Sequence, residues 1–107
     1  MTGLKKNSDF AKVYRQGRSR ADRNLVLYTM ENSLPESRIG ISVSKKTGNS
    51  VVRHRIKRRL KEIYRLNEPS FGIGKDFVVI ARPSAAAADY HELEQSLLKL
   101  MRTRPAT

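Results

Sequence analysis

The stretch SKKTGNSVVRHRIKRRLKEIYR, residues 44–65, decides the reading of this chain. It carries Lys45, Lys46, Arg53, Arg55, Lys57, Arg58, Arg59, Lys61 and Arg65, with Glu62 its one acid. Val52, Ile56, Leu60 and Ile63 recur inside the charge run at helical spacing and fall within roughly 80° of one another on a helical wheel. A disordered basic tail would lack that stripe. The spacing therefore predicts a folded cationic helix with one buried face, capped by Asn49 or Ser50 after a turn at Gly48. Nearly unmixed cations repel one another, so the helix implies a partner that neutralises them. The many arginines favour phosphate, because a planar guanidinium can bond two oxygens at once.

The rest of the chain supports that partner. The net charge is +12 over 107 residues, enough chain for one small domain. Residues 1–66 hold 17 Lys and Arg against 5 Asp and Glu, while residues 67–107 hold 5 of each, so the excess sits on one side. Such a field points to nucleic acid before anionic membrane. With no cysteine, disulfides and thiolate metal sites are excluded. No apolar run has the length of a signal peptide core or a membrane span, which predicts a soluble, cytoplasmic protein.

Around the basic helix the pattern predicts the order α-β-β-α-β-α, a single α/β (α+β) sandwich over residues 1–107 with residues 1–4 and 103–107 frayed. Asn7 or Ser8 caps a first helix that Gly17 stops, and Phe10, Val13 and Tyr14 form one stripe on it. That stripe is either core or a platform for unpaired bases. After a basic link holding Arg18, Arg20 and Arg23, residues 24–31 read as a strand. NSLPES reads as a hairpin loop leading into residues 38–44, where Ile39, Ile41 and Val43 alternate with Gly40, Ser42 and Ser44. NEPSFGIGK is a loop, and residues 76–82 form an apolar central strand ended by Pro83. Asp89 and Glu92 form a capping box that opens a last helix buried through Tyr90, Leu93, Leu97, Leu100 and Met101.

Enzyme chemistry within the protein has no visible seat. The acids are scattered, whereas a metal-dependent nuclease gathers carboxylates. His54 lies among arginines and His91 in the first turn of the last helix, and no spacing brings them to one site. KKTGNS lacks the glycine spacing of a nucleotide-binding loop. A DNA regulator is disfavoured, since no second short helix makes a helix-turn-helix with the basic one.

LKKNSDFAKVYRQG, RIGISVSKK and KKTGNSVVRHRIKRRLKEIYR together resemble the protein subunit family of bacterial ribonuclease P, in order and spacing, over residues 4–101. One departure falls in the basic motif, where the family typically reads Arg-Asn-Arg and this chain reads Arg53-His54-Arg55. The resemblance implies a ribosomal-protein-like fold with a left-handed βαβ crossover. It implies a ribonucleoprotein whose RNA carries the catalytic Mg2+ ions and removes the 5′ leader of precursor tRNA, with no catalytic or metal-binding residue in the protein. It assigns Lys45, Lys46, Arg53, His54, Arg55, Lys57, Arg58, Arg59 and Lys61 to the catalytic RNA. Phe10, Tyr14, Tyr28, Ser42 and Ser44 are assigned to the leader. The alternative is a ribosomal or general RNA-binding structural protein, which would share charge and size.

Overall fold

The structure, a computed structural model, describes residues 1–102; the frayed end expected at 103–107 lies outside the described residues. The elements run β1 (Thr2–Gly3), α1 (Asn7–Gln16), β2 (Arg18–Ala21), β3 (Leu25–Glu31), β4 (Arg38–Val43), α2 (Ser50–Asn67), β5 (Lys75–Ala81) and α3 (Tyr90–Arg102). Short 3-10 turns at Lys45–Thr47, Glu68–Phe71 and Pro83–Ala86 join them. The predicted order holds for the main elements, with two short strands added.

One five-stranded sheet of order β1-β4-β5-β3-β2 divides the molecule. The apolar run of β5 takes the centre, with β4 parallel on one side and β3 antiparallel on the other. This overturns the expected hairpin of β3 and β4. The chain between them steps over the width of β5, because a strand apolar on both faces is best buried at the centre of the sheet, where Phe77 and Val79 enter one core and Val78 and Ile80 the other.

Alternation sorts the side chains. Leu25, Leu27, Ile39, Val43, Phe77 and Val79 face α2 and α3 and form the large core with Ile56, Leu60, Ile63, Leu93 and Leu97. Tyr64, outside the predicted stripe, is buried there as well, its ring forming a mutual cluster with those of Phe71 and Phe77. The opposite face holds a smaller cluster in which Leu4, Val13 and Val78 pack with Phe10, Tyr28, Met30 and Ile80. Among the described residues, α1 is the one helix on this second face.

Local chemistry sets the helix ends. Asn49 caps α2 by accepting the Val52 amide at 3.0 Å. Asp89 accepts the Glu92 amide at 2.8 Å, while the Glu92 carboxylate accepts the Asp89 amide at 3.1 Å. The cap of α1 differs from the expectation: Lys6 holds the position with no side-chain bond, and Asn7 is already helical. Gly17 ends α1 by donating to the Val13 carbonyl at 2.7 Å. A methyl there would meet that oxygen at 2.5 Å, so only glycine fits.

Two further expectations fail at the sheet margins. Residues 1–4 are not frayed: Thr2 and Gly3 pair with Arg38 and Ile39, and Leu4 is buried and donates to the Ile39 carbonyl at 2.9 Å. The basic link at 18–21 is the edge strand β2, paired with residues 26–29 of β3.

The Ile39 bond also gives the hand of the crossover. For an L-residue viewed with its side chain toward the observer and its strand running upward, C=O and N–H point right. The Ile39 side chain faces α2 and its carbonyl faces β1, so β5 lies to the left. The path β4–α2–β5 is therefore left-handed, against the usual right-handed preference.

Candidate nucleic-acid interface

Two surfaces meet along β4. Its outer edge is paired with β1 only at Arg38 and Ile39, leaving residues 41–43 without a strand neighbour on that side among the described residues. A groove of about 430 Å3 opens there, lined by Asn7, Phe10, Ala11 and Tyr14 of α1, residues 41–43 of β4, and Lys57 of α2.

The rings of the groove form a connected row. Phe10 lies on the backbone of Gly40, and its centroid is 6.5 Å from that of Tyr14. Tyr14 meets Tyr28 of β3 edge-on at 5.2 Å. Tyr14 keeps 40 % of its surface exposed, whereas Phe10 and Tyr28 are half-buried. Burial pushes the Tyr14 hydroxyl above its ordinary pKa, opposed by the nearby Ser42 hydroxyl and reinforced by Tyr28. The wall thus offers apolar ring surface, a neutral phenol, a serine and a lysine. Such a wall accepts unpaired bases on the rings with a phosphate at the ammonium.

The predicted leader residues divide accordingly. Phe10, Tyr14 and Ser42 line the groove. Tyr28 supports Tyr14 from beneath. Ser44 is exposed beyond the end of β4, where its carbonyl accepts the Thr47 amide at 3.1 Å, and so stands with the Lys45–Thr47 turn.

The cations of α2 divide as well. His54, Arg58 and Lys61 are exposed, as are Lys45 and Lys46 on the preceding turn. Arg53, Arg55, Lys57 and Arg59 are half-buried beside the apolar stripe. Arg55 Nη2 donates to the Ala86 carbonyl at 3.3 Å, while the Nε groups of Arg53 and Arg55 are buried without a hydrogen-bond partner. Lys57 alone turns into the groove. Spacing along α2 gave its angle but could not show that the open edge of β4 lies beside it.

Apart from these surfaces, the two histidines do not act together: His91 contacts Glu94 and Gln95 of its own helix, and His54 is exposed on α2. Among the described residues no three histidine, aspartate or glutamate side chains gather as a metal site.

The ribonuclease P family model matches residues 2–104. The chain belongs to the ribonuclease P protein family. The ribonuclease P protein component of Alkaliphilus metalliredigens is 52 % identical over 99 residues, covering 92 % of this chain and 89 % of that one. That of Clostridioides difficile is 46 % identical, covering 94 % and 89 %. The ribonuclease P protein structure from Staphylococcus aureus superposes with a TM-score of 0.88 at 39 % identity, covering 95 % of this chain and 94 % of that one. The one from Thermotoga maritima gives 0.87 at 29 %, covering 98 % and 100 %. The ribonuclease P protein is a component of a ribonucleoprotein endoribonuclease of tRNA processing, so an RNA partner comes with membership. No described helix is long and apolar enough to cross a membrane.

Proposed function

We propose that this chain anchors on the ribonuclease P catalytic RNA and offers the single-stranded 5′ leader of precursor tRNA a second surface. The anchor is Lys45 and Lys46 with, on α2, the exposed His54, Arg58 and Lys61 and the half-buried Arg53, Arg55 and Arg59. The leader lies in the groove of Phe10, Tyr14 and Ser42, with Lys57 at its wall. The observation that carries this reading is the open edge of β4, which sets the ring row of α1 beside the basic helix so that one RNA assembly can engage both.

The mechanism is differential binding. Neutralising crowded RNA phosphates favours assembly, and the groove favours the leader-bearing precursor over the mature tRNA, which has lost the segment. The protein holds no group for the hydrolysis itself. Mg2+ and the reacting phosphodiester belong to the RNA, and the setting is the cytoplasm. The family match favours this reading over a ribosomal protein.

Reconstitution tests it. Adding the protein to a bacterial ribonuclease P RNA at low magnesium should stimulate 5′ cleavage of precursor tRNA. Absence of stimulation would overturn the proposal.

A further inference from the structure

A basic surface at one end of the sheet belongs to neither the groove nor α2. Val43 of β4 and Leu25 of β3 both stand opposite Ala81 of β5, and Ala21 of β2 stands opposite Val26. The segments that leave the sheet at this end are therefore Lys45–Thr47, Pro83–Ala86 and the turn at residues 22–24. They are bonded into one rim. The Arg82 amide donates to the Asn24 carbonyl at 2.8 Å and its Nη1 to the Asp22 carbonyl at 3.1 Å. Ser84 Oγ contacts the Arg23 carbonyl and, at 3.0 Å, Asn24 Oδ1. Arg55 of α2 reaches the same rim at Ala86, and the Lys45–Thr47 turn packs on Pro83–Ala86.

Lys45, Lys46, Arg23 and Arg82 are all exposed on this rim. Asp22 is the one acid in the three segments, and its Oδ1 accepts the amides of Asn24 and Leu25, each at 2.9 Å. The same carboxylate is further stabilised by Ser96 and by the charge of Lys99 on α3. We propose that Arg23 and Arg82 form a second phosphate-contact site, continuous with Lys45 and Lys46, over which the RNA backbone held by α2 continues across the end of the sheet. The occupant is a phosphodiester backbone because the four exposed charged side chains named on the rim are all cationic and two of them are arginine. The Asp22 carbonyl holds one nitrogen of Arg82 in place, so docking a phosphate on the others orders less side chain than a free arginine would require.

This inference rests on the RNA-binding reading of α2, and the test separates the two. Affinity for a ribonuclease P RNA, without precursor tRNA, is measured against KCl concentration for wild type, Arg23→Gln/Arg82→Gln, the charge-keeping Arg23→Lys/Arg82→Lys, and Arg58→Gln on α2. The double glutamine variant should flatten the slope of log K against log salt by about two, roughly one per arginine, and the lysine pair should restore most of it. A wild-type slope in the double glutamine variant, alongside a flattened one for Arg58→Gln, would overturn the rim site alone. Salt-independent or absent binding by the wild type would overturn the reading of α2. Circular dichroism checks folding. If Arg82→Gln disturbs the rim, Arg23→Gln alone should still lower the slope by about one, and no change there counts against the site.

Discussion

The ring of Phe10 occupies the space that a side chain at residue 40 would need: a methyl on Gly40 would lie 2.5 Å from its Cζ and 2.6 Å from its Cε1. Gly40 has ordinary strand geometry within β4, so the demand for glycine here is one of room and not of backbone angle. Gly40→Ala should drive Phe10 outward into the groove. Overpacking of this kind costs about 1–3 kcal/mol. We expect a lower denaturation midpoint and, in the reconstituted holoenzyme, weaker binding of leader-bearing precursor with mature tRNA little changed. Wild-type stability together with wild-type leader preference would show that the ring does not set the groove.

Lys57 separates from the other cations of its helix. Lys57→Ala should lower affinity for leader-bearing precursor more than affinity for the catalytic RNA, whereas Arg58→Ala should do the reverse. Loss of a charged hydrogen bond is worth about 1.5–3 kcal/mol, or roughly tenfold to a hundredfold in binding. Equal effects of Lys57→Ala on both equilibria would return Lys57 to the anchor surface.

Asp76 is the one buried carboxylate of the core strand, 1 % exposed, and it ties β5 to β4 and to the turn after β3. Arg38 of β4 donates to it from Nε at 2.9 Å and Nη2 at 2.7 Å, and Asn32 donates at 2.8 Å. Burial pushes its pKa up, but the bonds from Arg38 and Asn32 outweigh burial and hold it below the ordinary carboxylate value. A depressed native pKa contributes stability that is present above the unfolded value, near 3.8, and lost as pH falls through the native one. Asp76→Asn should cost about 2–4 kcal/mol at pH 7, below the full figure for a buried pair because Arg38 is partly exposed. The gap between wild type and variant in urea midpoint should narrow below about pH 4. A gap independent of pH would rule out the charged pair as its source.

Tyr64 offers the opposite sign. Its hydroxyl is buried with no hydrogen-bond partner, and burial, aided by Glu68, pushes its pKa to about 12. Tyr64→Phe keeps the ring contacts with Phe71 and Phe77 and removes an unpaid desolvation cost. We expect a gain of about 1 kcal/mol by urea melt. A loss of stability would mean that the hydroxyl is satisfied in solution.

What the sequence made legible was local. The caps of α2 and α3 and their apolar stripes depend on residues three or four apart, and both helices stand where spacing placed them. The buried continuity of residues 76–81 likewise marked the central strand. RSRA has neither alternation nor strand-forming side chains, and it becomes β2 only because β3 offers an edge. The misplaced hairpin has the same cause: adjacency of β3 and β4 was inferred from neighbouring positions in the chain, while β5, more than thirty residues on from β4, takes the place between them. Of the site, residue types were legible and grouping was not. Ser44 stands with the Lys45–Thr47 turn because it lies past the end of its strand, and Lys57 lines the groove because it lies beside an open edge.

That open edge exists because β1 is two residues long. Only residues 4–6 separate β1 from α1, and the Lys6 carbonyl already accepts the Asp9 and Phe10 amides. The register of β1 on β4 therefore works as a ruler for α1. Had the terminal strand continued along β4, its backbone would fill the trough in which an RNA strand could lie. Were it to slip by one residue, Leu4 would leave the core and Phe10 would lose its seat on Gly40. The room beside β4 that the proposed leader site requires is thus governed by where the shortest element stops pairing.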